Sequence, residues 1–395
     1  MTETLEPLPP GSILLHVGPY KTGSTAIQQS LFDQRAVLAA HGVHYPDKWR
    51  RLFREGHSLM QFAPRGLSVP PISVWDDFAA GIRTRPETVC LSTEDFGRLH
   101  RPDRARKIVA DLGADRLHVL AVARAYHRLL PSHWQERVKG AETLTYDEWL
   151  HQVFEGDDSQ SAYRSFWTSH DMERMTTQWL EVLPPDRYTV VVSDDSDRLL
   201  LSHVFEQLLG LPEGLLAPGG NANASLSANA AEVLRRVNLA FTEHGWPEGD
   251  RRALIRKGVA RSLQDAGRPV YDQPMPSLPG WVQPAVAERS RARVDAIRSL
   301  GIRVVGDPER LLPPADDPAA DREIRIPEAV SVEAAAAAVV GALEALFRER
   351  RSGRRAHGSE TPPPAEPRPA LSDVDGRTLV RELGRRARRR LPGAG

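Results

Sequence analysis

The passage from residue 13 to residue 42 constrains the fold more than any other part of the chain. The apolar run ILLHV at 13–17 leads into the loop Gly18-Pro19-Tyr20-Lys21-Thr22-Gly23-Ser24-Thr25. The segment AIQQSLFDQRAVLAAHG follows, with Ile27, Leu31 and Leu38 on helical spacing and Gly42 ending it. A buried strand that turns through a tight polar loop into a helix brings loop amides and a helix N-terminus to one point, where they favour an anion. Such a strand needs neighbours, and the chain supplies them in TVCLS at 88–92, LHVLAVA at 117–123 and YTVVV at 188–192, with GIRVVGD at 301–307 as a candidate last strand. Helical stretches separate them. The alternation predicts an α/β fold of three layers, α/β/α, around a central parallel sheet of four or five strands.

The remainder reads as helix and loop. LPEGLLAPGGNANASL at 211–226 is a Pro/Gly/Asn-rich loop, Ser227 is placed to cap a helix, and further helices are expected near 250–266 and 284–300. Pro327 suits the first turn of an Ala-rich helix whose stretch AAAAAVVGALEALF at 334–347 carries Glu344 and is too short and too charged for a membrane span. Four regions follow: an N-terminal extension at 1–11, one α/β domain at 12–350, a Pro-rich linker at 351–370 and a basic tail at 371–395. Within 371–391 a basic amphipathic helix is possible, and it makes peripheral contact with anionic lipid a candidate role for the tail. Cys90 is the single cysteine, which excludes an intrachain disulfide and a cysteine zinc site. With no basic, apolar leader in the first 12 residues, the expected location is the cytoplasm.

Charge sharpens the choice of function. The chain has 52 Lys+Arg against 52 Asp+Glu. The segment 351–395 holds eleven Arg and five acidic residues, which leaves the body acidic. A body of that sign does not favour nucleic acid, so an anion site in it must be local. Only five of the basic residues are lysines, at 21, 48, 107, 139 and 257, and one of them sits in the loop. A Walker loop places its Lys after the second Gly, whereas Lys21 precedes Gly23, and the dinucleotide pattern Gly-x-Gly-x-x-Gly is missing here. Loop amides, the hydroxyls of Thr22, Ser24 and Thr25, and the Lys21 point charge still make an anion cradle.

At these residues the chain resembles a family. VGPYKTGST resembles the 5′-phosphosulfate loop of sulfotransferases that use 3′-phosphoadenosine 5′-phosphosulfate (PAPS), and in that family a strand-end Arg and a Ser eight residues later grip the 3′-phosphate. Arg124, at the end of LHVLAVA, and Ser132 match that spacing. The resemblance spans about residues 12–312, is sharp over the first 140, and is nearest to the bacterial sulfotransferase-like branch. It departs from the cytosolic enzymes at RKGxxGDWK, because Arg256-Lys257-Gly258 continues as VARSL, and the tripeptide reads as coincidence.

The resemblance implies a P-loop NTPase-like sulfotransferase fold and in-line transfer of a sulfuryl group from PAPS to a hydroxyl acceptor, a sugar, glycolipid or secondary metabolite. It implies PAPS as co-substrate and no metal. Lys21, Thr22, Gly23, Ser24, Thr25, Arg124 and Ser132 would bind it, with Lys21 neutralising the leaving oxygen. A base is needed for the acceptor proton, and two candidates stand: Glu94, where glycan sulfotransferases place a catalytic Glu, and His57, whose ordinary pKa suits the task. Arg128 could assist Arg124 and Lys139 could reach the cofactor or acceptor, although both read more simply as solvated helix residues, and the Gly/Asn content of the Asn223/Ser225 loop makes it a candidate cover for the nucleotide. Trp49, Trp75, Trp134 and Trp281 are divided between core packing and stacking on an acceptor. Two rivals remain, a P-loop kinase or NTPase, which would need an Asp for Mg²⁺, and a non-catalytic nucleotide-binding scaffold.

Overall fold

A computed structural model describes residues 5–46, 52–63, 67–98, 102–218, 226–266, 278–314 and 330–356. The chain divides into two compact units, Met1–Ala345 and Leu346–Gly395. In the second, residues up to Ala356 are described, as part of the helix Val332–Ala356.

The first unit is built on six strands, β1 (Ile13–Gly18), β2 (Val43–His44), β3 (Thr88–Ser92), β4 (Leu117–Ala123), β5 (Tyr188–Val192) and β6 (Arg303–Val305). They form one sheet in the order β2-β3-β1-β4-β5-β6, and every pairing is parallel. The sheet is wider than the four or five strands expected. The strand that periodicity cannot reveal is β2, two residues that pair only with Thr88 and Val89.

The central strands read as unbroken apolar runs because both their faces are covered. Ile13, Leu15 and Val17 face one layer, with Trp75, Ile108 and Trp179, while Leu14, Cys90 and Leu120 face the other, with Ile27, Leu31 and Phe205. A third cluster lies among helices, where Tyr126, Leu130, Trp149, Phe166, Leu234, Ile255 and Ala338 pack together.

Strand order fixes where a ligand belongs. From β1 the chain runs to β2 and β3 on one side, and from β4 it runs to β5 and β6 on the other. The loops leaving the adjacent carboxyl ends of β1 and β4 therefore part, and that divergence opens the crevice in which open α/β sheets bind ligands. Lys21 and Arg124 lie on those two loops.

The helix Val332–Ala356 continues past the boundary expected at 350. It packs its small face, Ala334, Ala338 and Ala345, while Val339, Val340 and Leu343 are exposed, so the expected packing holds for one face. Among the described residues no helix is long and apolar enough to cross a membrane. Trp49, the Asn223/Ser225 loop, Pro327 and everything from residue 357 on, the basic tail included, lie outside the described residues.

Candidate functional site

The β1 loop is held from below. Gly18 has a φ of +83°, and a Cβ there would stand 3.0 Å from Glu94 Cγ, so glycine serves both the turn and the close approach. The Gly18–Pro19 peptide is cis, Lys21 has a φ of +68°, and Gly23, at +95°, precedes the helix Ser24–Asp33. The Thr22 hydroxyl donates to the Pro19 carbonyl at 2.7 Å. Ser24 donates to Glu94 Oε1 at 2.6 Å, and Gln28 Nε2 donates to Glu94 Oε2 at 3.2 Å and to Ser92 Oγ at 3.1 Å. Beneath them His16 Nδ1 meets Ser92 Oγ at 2.7 Å, and burial lowers the His16 pKa to about 4, against the pull of Glu94. The hydroxyl protons of Thr22 and Ser24 thus point into the loop's own support. Glu94, 3% exposed, lies under the loop with both oxygens occupied and is not on an open wall.

His57 stands in different company. Its Nε2 lies 3.6 Å from Asp95 Oδ2, and Asp95 Oδ1 accepts a 2.7 Å hydrogen bond from the Tyr20 hydroxyl, one residue before Lys21. Burial holds the Asp95 carboxyl above the ordinary range, while Tyr20, His57 and Arg98 pull the other way. The His57 ring has Phe53 and Phe62 as neighbours at 5.9 and 6.1 Å, and Arg98 covers both the Tyr20 and Phe62 rings. Phe53 and Phe62 are exposed. The result is a carboxylate–imidazole pair with an apolar rim, tied through Tyr20 to the loop.

Arg124 joins the two elements that the strand order sets apart. Its Nη1 donates to the Lys21 carbonyl at 3.0 Å, and its Nη2 reaches Asp195 Oδ1 at 3.3 Å, while Arg128 Nε lies 3.3 Å from the other Asp195 oxygen. Ser132 follows two turns along the helix Tyr126–Gly140, half-buried. Lys21 is therefore gripped at its carbonyl by Arg124 and at its ammonium by Glu136 Oε2, 3.6 Å away. Glu136 also meets Lys139, at 3.9 Å, and Arg256, at 2.5 Å. Despite burial, which acts the other way, Arg256, Lys21 and Lys139 hold the Glu136 carboxyl below the ordinary range. Burial lowers the Lys139 pKa to about 8.

Several readings of single residues change here. Lys139, expected in solvent, has a side chain 12% exposed. Arg256, for which the sequence offered no role, shares the Glu136 carboxylate with Lys21. Gly258, two residues on, packs so tightly on Gly341 that a Cβ on either would stand 2.6 Å from the other's carbonyl oxygen. Trp75 and Trp134 are core residues, with indole N–H groups donating to Asp111 and to the Leu144 carbonyl, and Trp281 stacks on His151. The residues that sequence reasoning missed are Tyr20, Asp95, Glu136 and Asp195. Glu136 precedes Lys139 by three positions, so a test for carboxylates beside each candidate cation could have found it, whereas Asp95, next to Glu94 in TEDF, meets His57 only through the fold. The surface groove over the helix Met172–Leu180, lined by Asp171, Arg174, Thr177 and Glu181, contains none of these groups.

At this edge of the sheet Lys21 of the loop is joined to Arg124 just past β4, and Ser132 follows on the helix Tyr126–Gly140. Among the described residues no cluster of three His, Cys, Asp or Glu side chains is placed to hold a metal ion. No family model matches the chain. No curated protein matches it either. Among solved structures, a crystal structure of a sulfotransferase from Alicyclobacillus acidocaldarius is similar over 61% of this chain and 94% of its own, at 16% identity and a TM-score of 0.37.

Proposed function

We propose that the protein transfers a sulfuryl group from PAPS to a hydroxyl acceptor. The observation that carries the reading is the 3.0 Å hydrogen bond from Arg124 to the Lys21 carbonyl. It brings the phosphosulfate-type loop and the strand-end Arg, two motifs 103 residues apart, to one crevice at the carboxyl edge of the sheet.

Each residue then has a task. The loop amides and the N-terminus of the helix Ser24–Asp33 receive the 5′-phosphosulfate. Arg124, with its fork of donors, and the Ser132 hydroxyl receive the 3′-phosphate, for which Arg124 must loosen its hold on Asp195. As the acceptor oxygen bonds to sulfur, the bond from sulfur to the bridging oxygen breaks, and Lys21 offsets the charge that collects on that oxygen. His57 takes the acceptor proton: its Nε2 is turned to Asp95, which leaves Nδ1 for the proton and lets the carboxylate stabilise the imidazolium. Glu94 braces the loop, since both of its oxygens accept internal hydrogen bonds. Thr22 and Ser24 hold the loop's shape, Gly23 lets its backbone turn, and Thr25 lies in the first turn of the helix that faces the phosphosulfate.

Calorimetric titration with 3′-phosphoadenosine 5′-phosphate (PAP) and with ADP, each without and with Mg²⁺, tests the reading. Metal-independent preference for PAP, at least tenfold weakened in Arg124→Ala, supports it. A preference for ADP that requires Mg²⁺ removes it in favour of a kinase, and binding of neither removes it in favour of a scaffold.

A further inference from the structure

Lys21, Lys139 and Arg256 come from three separate elements: the loop after β1, the helix Tyr126–Gly140 and the π-helical segment Arg252–Val259. All three meet one carboxylate, Glu136, at 3.6, 3.9 and 2.5 Å. We propose that these three cations form an oxyanion subsite, taking a sulfate, phosphate or carboxylate group, and that Glu136 is an internal competitor for the same cations.

Charge comes first. Three cations on one carboxylate leave a surplus of two positive charges, and the Lys139 side chain is only 12% exposed. Keeping an ammonium partly desolvated beside two like charges is unfavourable unless an anion answers it. Glu136 answers only in part: its contacts to Lys21 and Lys139 are longer than hydrogen bonds, so charge holds the two ammonium groups and their donor hydrogens are not committed to it. Reach comes second. The side chains pass from Lys139 inside, through Lys21 and Glu136, to Arg256 at 52% exposure, so the cluster runs from the nucleotide loop out to solvent. Support comes third. Arg256 sits on a π-helical stretch, an uncommon form that recurs at functional sites, and the reciprocal Gly258–Gly341 contact pins that stretch two residues further on.

A structural staple is the alternative, a cluster that ties the segment Arg252–Val259 to the helix Tyr126–Gly140 and does nothing more. The two differ in what removal of the carboxylate does. A staple loses stability without Glu136, whereas an oxyanion subsite gains affinity for an added anion. The subsite rests on this geometry, and only the source of its oxyanion rests on the reading above. There it is either the terminal group of the donor or an anionic substituent of the acceptor.

The test is calorimetric titration of the full-length protein with inorganic sulfate at fixed low ionic strength. Wild type, Lys139→Gln, Arg256→Gln and Glu136→Gln are compared, with thermal melts of each. One sulfate per chain is expected, at least tenfold weaker in Lys139→Gln and Arg256→Gln and severalfold tighter in Glu136→Gln. No sulfate binding by wild type, or equal affinity in wild type and Arg256→Gln, overturns the proposal. Arg256 is exposed enough that its substitution leaves folding intact, so this comparison survives even if Glu136→Gln is unstable. Repeating the titration on protein saturated with PAP, and with 3′-phosphoadenosine 5′-diphosphate, separates the sources. Displacement of sulfate by either nucleotide assigns the subsite to the donor, and retention against both assigns it to the acceptor. If the protein binds no PAP, the reading of function fails, while the sulfate titration of the free protein still decides the subsite.

Discussion

The Ser24 hydroxyl donates a 2.6 Å hydrogen bond to Glu94 Oε1, joining the first turn of the helix after β1 to the end of β3. Through Gln28 the same carboxylate is linked to Ser92 and on to His16, and its side chain touches the space that a Cβ on Gly18 would take. The loop's shape therefore depends on a residue 70 positions away in sequence.

Replacing Glu94 by Ala should destabilise the protein by about 2–4 kcal/mol, because buried donors on Ser24 and Gln28 lose their acceptor. Glu94→Gln keeps one acceptor oxygen and should cost less. Urea denaturation of both variants measures this. A Glu94→Gln protein of wild-type stability whose turnover falls about a hundredfold would instead make the carboxylate the base.

His57→Asn should lower kcat by about 10²- to 10⁴-fold, the usual contribution of a general base, with PAP affinity unchanged within about twofold. Asp95→Asn should act through His57, with a smaller loss and a shifted pH profile of kcat. Steady-state kinetics and PAP titration together check this. Loss of PAP binding in His57→Asn would place the imidazole in the nucleotide site.

Lys21 holds a left-handed φ of +68°, a conformation that costs a residue with a Cβ about 1–2 kcal/mol. Lys21→Gly should therefore be more stable than Lys21→Ala by about 1 kcal/mol, while both lose turnover alike. Thermal melts and kinetics of the pair separate backbone shape from charge.

Four buried histidines make the fold sensitive to acid. Burial lowers His16 and His118 to about 4 and His133 to about 3, and holds His170 well below its ordinary value. The unfolded chain takes up these protons below the ordinary 6.5 and the folded chain does not. Their contribution is thus complete above pH 6.5 and is lost as pH falls toward 3–4, at up to about 1.4 kcal/mol per pH unit for each. Urea titrations between pH 4 and 8 should show that decline, and His118→Asn should make it shallower by one proton. Identical slopes for the two proteins would mean that His118 protonates within the fold.

Gly258→Ala should destabilise the protein by about 1–3 kcal/mol, because its methyl would meet the Gly341 carbonyl oxygen at 2.6 Å. It should also weaken sulfate binding through Arg256, two residues away. Denaturation and sulfate titration of the one variant test both effects.

Much of this molecule is local and was legible in the chain. β1, β3, β4 and β5 declare themselves as apolar runs because each is covered on both faces, and the loop with Lys21 declares itself because glycines and hydroxyls crowd between a strand and a helix. Arg124 and Ser132 were singled out only because the chain resembles a family that places an Arg and a Ser at that spacing, and the contact of Arg124 with the Lys21 carbonyl had no local signal. β2 was not, since two residues carry no period. Glu94 was legible as a carboxylate at a strand end, but its duty to Ser24 and Gln28 depends on parallel pairing of β1 with β3.

The sequence by itself determined the alternation of strand and helix, the glycine- and hydroxyl-rich loop after β1 and the rarity of its lysine, because these depend on neighbours in the chain and on backbone preference. Tertiary structure decided which charges meet. Asp95 with His57, Asp195 with Arg124 and Arg128, and Glu136 with Lys21 and Arg256 are pairs set by the strand order and by helices packed against one another. Coulomb attraction depends on distance through space and on burial, neither of which a linear chain expresses.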